Sequence, residues 1–78
     1  MDKKELLEIM GKEASKSYGE EDLKLKLYEA GIDSLKLIRI VVEIEKKYQV
    51  KLSRFFEDDE EFENIGDFIE KVQKEIKQ

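Results

Sequence analysis

Apolar residues recur at helical spacing in three stretches of the chain. Leu6, Leu7, Met10 and Ala14 fall within about a 100° arc when drawn at 100° per residue. They predict a helix from Lys3 to about Lys16. Asp2 followed by Glu5 resembles a capping box at its start, and Gly11 weakens it by about 1 kcal/mol relative to Ala. A second helix is predicted from Ser34 to Lys47 or Tyr48, where Leu37, Ile40, Val41, Ile44 and Tyr48 follow the i, i+3, i+4, i+7, i+11 pattern of a core-facing stripe. A last helix starts after Asn64, a good N-cap with Asp67 in the first turn. Its residues Ile65, Phe68, Ile69, Val72 and Ile76 repeat the same spacing.

Between the first two helices, residues 17 to 33 form a long loop bracketed by Gly19 and Gly31. Leu23-Lys24-Leu25-Lys26-Leu27 alternates as a strand would. No second convincing strand is present to pair with it, so the segment reads as an extended or partly helical loop, packed down by its leucines with Tyr18 and Ile32. Structured loops of this length are uncommon and often functional. After Tyr48, Val50 and Leu52 return to the core, and Ser53 is placed to cap a short helix holding Phe55 and Phe56. The expected fold is all-α: one domain over residues 1–78, with three main helices and one short one.

The helix from Ser34 carries a second apolar stripe. Leu35, Ile38 and Val42 lie at most about 60° apart, centred roughly 130° from the core stripe. A surface helix of a small domain needs only one such face. The second either packs beneath the long loop or forms a partner-binding patch, since exposed apolar clusters rimmed by charge mark interfaces. Lys36, Arg39, Glu43, Lys46 and Lys47 occupy the remaining arc.

Composition narrows the possible chemistry. A chain of 78 residues buries only about 60% of its unfolded surface, so stability must come from helix packing. With no Cys and no His, the usual nucleophiles and general bases of an enzyme are missing. The paired carboxylates sit in solvated runs with no apolar pocket to raise a pKa. The absence of cysteine and of a signal-type segment fits a reducing cytoplasm, and no apolar run exceeds Ile40-Val41-Val42, which excludes a membrane span. Net charge is −5, which argues against a nucleic-acid partner. The charge is uneven: residues 1–56 carry 12 basic and 11 acidic side chains, residues 57–78 carry 3 and 9. The run Glu57-Asp58-Asp59-Glu60-Glu61 reads as a solvated loop.

Gly31-Ile32-Asp33-Ser34-Leu35 joins the long loop to the most apolar helix. Asp33-Ser34 reads first as an N-cap, since both side chains accept hydrogen bonds from first-turn amides. It also reads as an attachment point for a phosphate-linked group, which a helix N-terminus favours through its unpaired N–H groups and its dipole. With the helix Lys36-Leu37-Ile38-Arg39-Ile40-Val41-Val42-Glu43-Ile44-Glu45-Lys46-Lys47-Tyr48 behind it, the motif resembles the attachment site and second helix of acyl and peptidyl carrier proteins. The likeness extends over essentially the whole chain: a helix before the motif, the long loop, an aromatic closing the helix, Leu52 after it, and a final amphipathic helix.

The resemblance implies a small right-handed helical bundle of the free-standing carrier type, acting as a monomer. It implies 4'-phosphopantetheine esterified to Ser34, with Asp33 and Gly31 completing the attachment motif. The terminal thiol of that arm, which the sequence itself lacks, would carry acyl or aminoacyl groups as thioesters. The implied partners are a phosphopantetheinyl transferase and loading and downstream biosynthetic enzymes, gripped through Leu35, Lys36, Ile38, Arg39 and Val42. Three features depart from the pattern. Ala30 stands where a Leu is usual and is expected to loosen packing at the loop's end. Lys36 and Arg39 occupy positions that are often acidic in carriers of fatty acid synthesis. The stretch from Leu52 to Ile65 is also longer than in those carriers. The last two features look more like a carrier of a nonribosomal peptide, polyketide or other specialised pathway. The competing class is an unmodified helical interaction module that uses the Leu35/Ile38/Val42 face.

Overall fold

The first helix ends sooner than its periodicity suggests, and the way it ends sets up the rest of the chain. The computed structural model describes residues 3–52 and 62–77. Helix α1 spans Lys3–Ala14. Ser15 then takes a left-handed φ of 56°. The Ser15 amide donates to the Lys12 carbonyl at 3.4 Å and the Lys16 amide to the Gly11 carbonyl at 2.8 Å, the bond pair of a Schellman stop. The predicted extension to Lys16 is therefore corrected to Ala14. The same turn explains Gly11: a Cβ there would lie 2.5 Å from the Lys16 carbonyl oxygen. The residue that weakens the helix lets the chain fold back over it. Asp2, the expected cap, lies outside the described residues.

Helix α2 spans Ser34–Tyr48 and helix α3 spans Ile65–Lys77; no strand occurs among the described residues. The three predicted apolar stripes meet in one core. Leu6, Leu7, Met10 and Ala14 come from α1, Ile40, Val41 and Ile44 from α2, and Ile65, Phe68, Ile69 and Val72 from α3. Leu37 and Tyr48 at the ends of the α2 stripe are half-buried against it. The Tyr48 hydroxyl donates to the Glu5 carboxylate and ties α2 to α1. Beyond α2, Gln49 is left-handed (φ 54°) and the Leu52 amide donates to Glu45 Oε2 at 2.7 Å, which returns Leu52 to the core. The short helix expected after Ser53, with Phe55 and Phe56, and the acidic run that follows lie outside the described residues.

The long loop is partly helical, with a 3-10 turn at Glu20–Asp22. Its leucine alternation serves α3 instead of a sheet. The Leu25 carbonyl accepts from the Ile65 amide and the Leu23 carbonyl from the Gly66 amide, both at 2.9 Å. A helix start inside the protein must have its amides satisfied, and alternate carbonyls of an extended segment meet that need. Ala30 is buried in the core, and its carbonyl accepts from the Tyr18 hydroxyl, so a loop–loop bond secures the position where a smaller side chain was expected to loosen packing. Burial, reinforced by the nearby Asp22 carboxylate, holds the Tyr18 phenol above its ordinary pKa of 10.0.

Candidate functional site

The loop enters α2 through a tight turn. The Gly31 amide donates to the Tyr28 carbonyl at 3.1 Å and the Ile32 amide to the Leu27 carbonyl at 2.9 Å. Gly31 has φ +83°, a conformation that favours glycine. Ile32 is buried in the core and fixes the depth of the turn. Asp33 is then extended, and its Oδ1 accepts from the Lys36 amide at 2.8 Å. Of the two residues able to cap, Asp33 is the one that does so. Ser34 is the first helical residue and is exposed, and its hydroxyl makes no hydrogen bond among the described residues. Its hydroxyl is free to react.

The Ser34 and Leu35 amides also have no acceptor among the described residues. Two N–H groups and the positive end of α2 thus surround an exposed hydroxyl, a setting suited to a phosphodiester on that oxygen. The neighbouring carboxylate, Asp33, is engaged in capping.

An open groove of about 580 Å³ starts at Ser34. Leu27, Ile32, Leu37 and Phe62 give it apolar walls, with Lys26, Tyr28, Asp33 and Glu63 also lining it. The Phe62 ring stands edge-on to Phe68, centroids 5.0 Å apart, so this wall is braced by the core. The groove beside Ser34 thus offers both apolar walls and polar groups. Sequence reasoning missed Tyr28, Lys26 and Phe62. An exposed aromatic unexplained by any apolar stripe was the signal for Tyr28. Phe62 reaches the site only through the fold.

On the other side of Ser34 lies the second stripe of α2. Leu35, Ile38 and Val42 are 57%, 46% and 38% exposed. The loop does not cover them, so this stripe does not pack beneath it. With Tyr28, they are the exposed large hydrophobics of the described residues, and all four lie within the stretch that brackets Ser34. Lys36 folds back so that its ammonium donates to the Gly31 carbonyl at 3.3 Å, and Arg39 is exposed beside the stripe.

Among the described residues no cluster of His, Cys, Asp or Glu could hold a metal ion, and no helix is long and apolar enough to cross a membrane. No curated protein and no solved structure matches the chain at the significance required. A family model described as "Phosphopantetheine attachment site" matches residues 4–70. That match spans all of α1 but its first residue, the loop, the Ser34 turn, α2 and the first half of α3. Domains of this kind bear a covalent 4'-phosphopantetheine, hold thioester intermediates on it without catalysis of their own, and work with a phosphopantetheinyl transferase and biosynthetic enzymes. The chain belongs to this family of phosphopantetheine-bearing carrier domains.

Proposed function

We propose that Ser34 is the residue that accepts the prosthetic group. The observation that carries the reading is the finish of the α2 N-terminus: an exposed hydroxyl beside two open amides, with the cap supplied by its neighbour. Asp33 fixes the first turn and Gly31 makes the bend that presents it; both act by position. When bound, the group supplies the thiol on which acyl or aminoacyl cargo rides. This chain's own part is to present the hydroxyl, receive the phosphate charge at the helix start and offer a wall for the arm. Residues 1–78 act as one monomeric, cytoplasmic carrier unit, with no reaction catalysed by its own side chains.

The pathway we favour is a specialised one, of nonribosomal peptide, polyketide or related type. Lys36 and Arg39 support this, standing where carriers of fatty acid synthesis are often acidic. Leu35, Lys36, Ile38, Arg39 and Val42 form the grip for successive enzymes. An apolar stripe exposed next to the attachment point is held where each partner must approach.

The test is incubation with coenzyme A, Mg²⁺ and a broad-specificity phosphopantetheinyl transferase, followed by intact-mass and peptide mass spectrometry. One phosphopantetheine is expected on the peptide holding Ser34. Ser34→Ala is expected to abolish the addition and leave helical circular dichroism near normal. Modification at Ser15, Ser17 or Ser53 would overturn the assignment, and no modification at all would favour an unmodified interaction module.

A further inference from the structure

The α2 face next to Ser34 carries cations that no carboxylate of the described residues pairs with. Lys36, Arg39 and Lys46 make no ion pair among the described residues. At 100° per residue Arg39 and Lys46 fall directly beside the Leu35/Ile38/Val42 stripe, with Lys36 farther round the same flank. Glu43 is the one carboxylate between them and pairs with none of them.

A fourth cation arrives from another element. Lys16, just past the end of α1, lies so close along Gly31 that a Cβ there would stand 3.1 Å from its ammonium nitrogen. The Lys36 ammonium reaches the Gly31 carbonyl from α2. Lysines from two separate elements thus both lie against Gly31, three residues before Ser34, and Lys16 likewise has no ion pair among the described residues. Like charges on one region of surface with no carboxylate paired to them repel one another. A partner that supplies carboxylates relieves this repulsion as the apolar stripe is covered.

We infer that the partner surface of this carrier is acidic: an apolar protein surface, such as one face of an amphipathic helix, flanked by Asp or Glu that meet Lys16, Lys36, Arg39 and Lys46. This deepens the reading of the α2 face as the enzyme grip and rests on it. The cations set which partners are admitted, because a basic rim rejects basic ones. The stripe runs over eight residues of helix from Leu35 to Val42, a rise of about 10 Å, enough for two turns of a partner helix.

The probes are two synthetic amphipathic helical peptides with the same apolar face, one flanked by Glu and one by Lys. Each is titrated into the ¹⁵N-labelled protein at low salt, in the apo form and after loading. The Glu-flanked peptide is expected to shift the amides of Lys16, Leu35, Ile38, Arg39 and Val42, and the Lys-flanked peptide to shift none of them. Lys36→Gln, Arg39→Gln and Lys46→Gln together are expected to weaken the Glu-flanked peptide about tenfold, the sum expected of three exposed ion pairs. That loss should shrink at high salt. Equal binding of both peptides, preference for the Lys-flanked one, or no binding overturns the inference. Concentration-dependent shifts of the same amides without peptide would assign the face to a second copy through its acidic residues 57–78, and would overturn it too. The titration does not need Ser34 to be modified, so it and the loading test fail independently.

Discussion

Helices α2 and α3 start with the same device and finish it in opposite ways. Each has an amide-capping residue: Asp33 accepts from the Lys36 amide and Asn64 from the Asp67 amide, both at 2.8 Å. At α3 the two preceding amides, Ile65 and Gly66, are taken by the Leu25 and Leu23 carbonyls. Asp67 Oδ2 also reaches back to the Glu63 amide at 3.0 Å. At α2 the corresponding amides, Ser34 and Leu35, have no acceptor among the described residues. One helix start is completed within the fold; the other keeps two amides open, where we propose the prosthetic group is attached. Their side chains follow suit, with Ile65 fully buried and Ser34 and Leu35 exposed. A capped helix start is therefore not by itself a phosphate site. The amides left over, and a reactive group beside them, make the difference.

The largest effect expected comes from the core that both helix starts stand on. Ile44→Asp and Ile69→Asp each place an unpaired charge at a site that is 0% and 1% exposed, and each should abolish the cooperative helical transition in thermal circular dichroism. A folded double mutant would mean that the two stripes do not share a core.

Next in size is the contrast between the faces of α2. Ile40→Ala should cost roughly 2–5 kcal/mol, whereas Ile38→Ala and Val42→Ala should cost well under 2 kcal/mol and slow transfer to a native partner instead. Urea melts beside a transfer assay check this. If Ile38→Ala melts as early as Ile40→Ala and transfers normally once folded, the exposed stripe is core.

Removing the caps separates the two starts more finely. Asn64→Ala and Asp33→Ala should each lose about 1 kcal/mol. Only Asn64→Ala should speed hydrogen exchange at Ile65 and Gly66, because only there does the cap hold a helix start against loop carbonyls. Equal exchange in both variants would show that the loop bonds do not depend on the cap.

The smallest effect tests the loop itself. The folded Tyr18 phenol sits above its ordinary value, through burial first and the Asp22 carboxylate second. The folded state thus holds this proton more tightly than the unfolded chain. The contribution is complete below about pH 10 and is lost as pH rises through the higher folded value. Stability of the parent protein should therefore fall more steeply above pH 10 than that of Tyr18→Phe. Parallel curves would contradict the burial of this phenol beside the Asp22 carboxylate.

The features legible in the sequence were those set by local spacing. The caps Asp33 and Asn64, the core stripe from Leu37 to Tyr48, and the surplus stripe of Leu35, Ile38 and Val42 all follow from helical periodicity and short-range hydrogen bonding. What periodicity left open was whether the loop covers that surplus stripe, and only the folded chain decides it. The stop at Ala14 was hidden because a serine takes the left-handed position that glycine usually signals, while Gly11 acts through a close pass of the chain. The use of Leu23 and Leu25 carbonyls by α3, the Phe62 wall of the groove and the approach of Lys16 to Gly31 join residues far apart in sequence. No local pattern encodes them.

The claim that α2 is the helix start left open for the prosthetic group is tested most directly by comparing amide spectra of the ¹⁵N-labelled protein before and after loading. Among the two helix starts, loading is expected to move the Ser34 and Leu35 amides far more than any other, toward the positions of phosphate-bonded N–H groups. The Ile65 and Gly66 amides should stay in place and remain slow to exchange in both forms. Shifts at Ile65 and Gly66 as large as those at Ser34 and Leu35, or Ser34 and Leu35 amides already protected before loading, would contradict it.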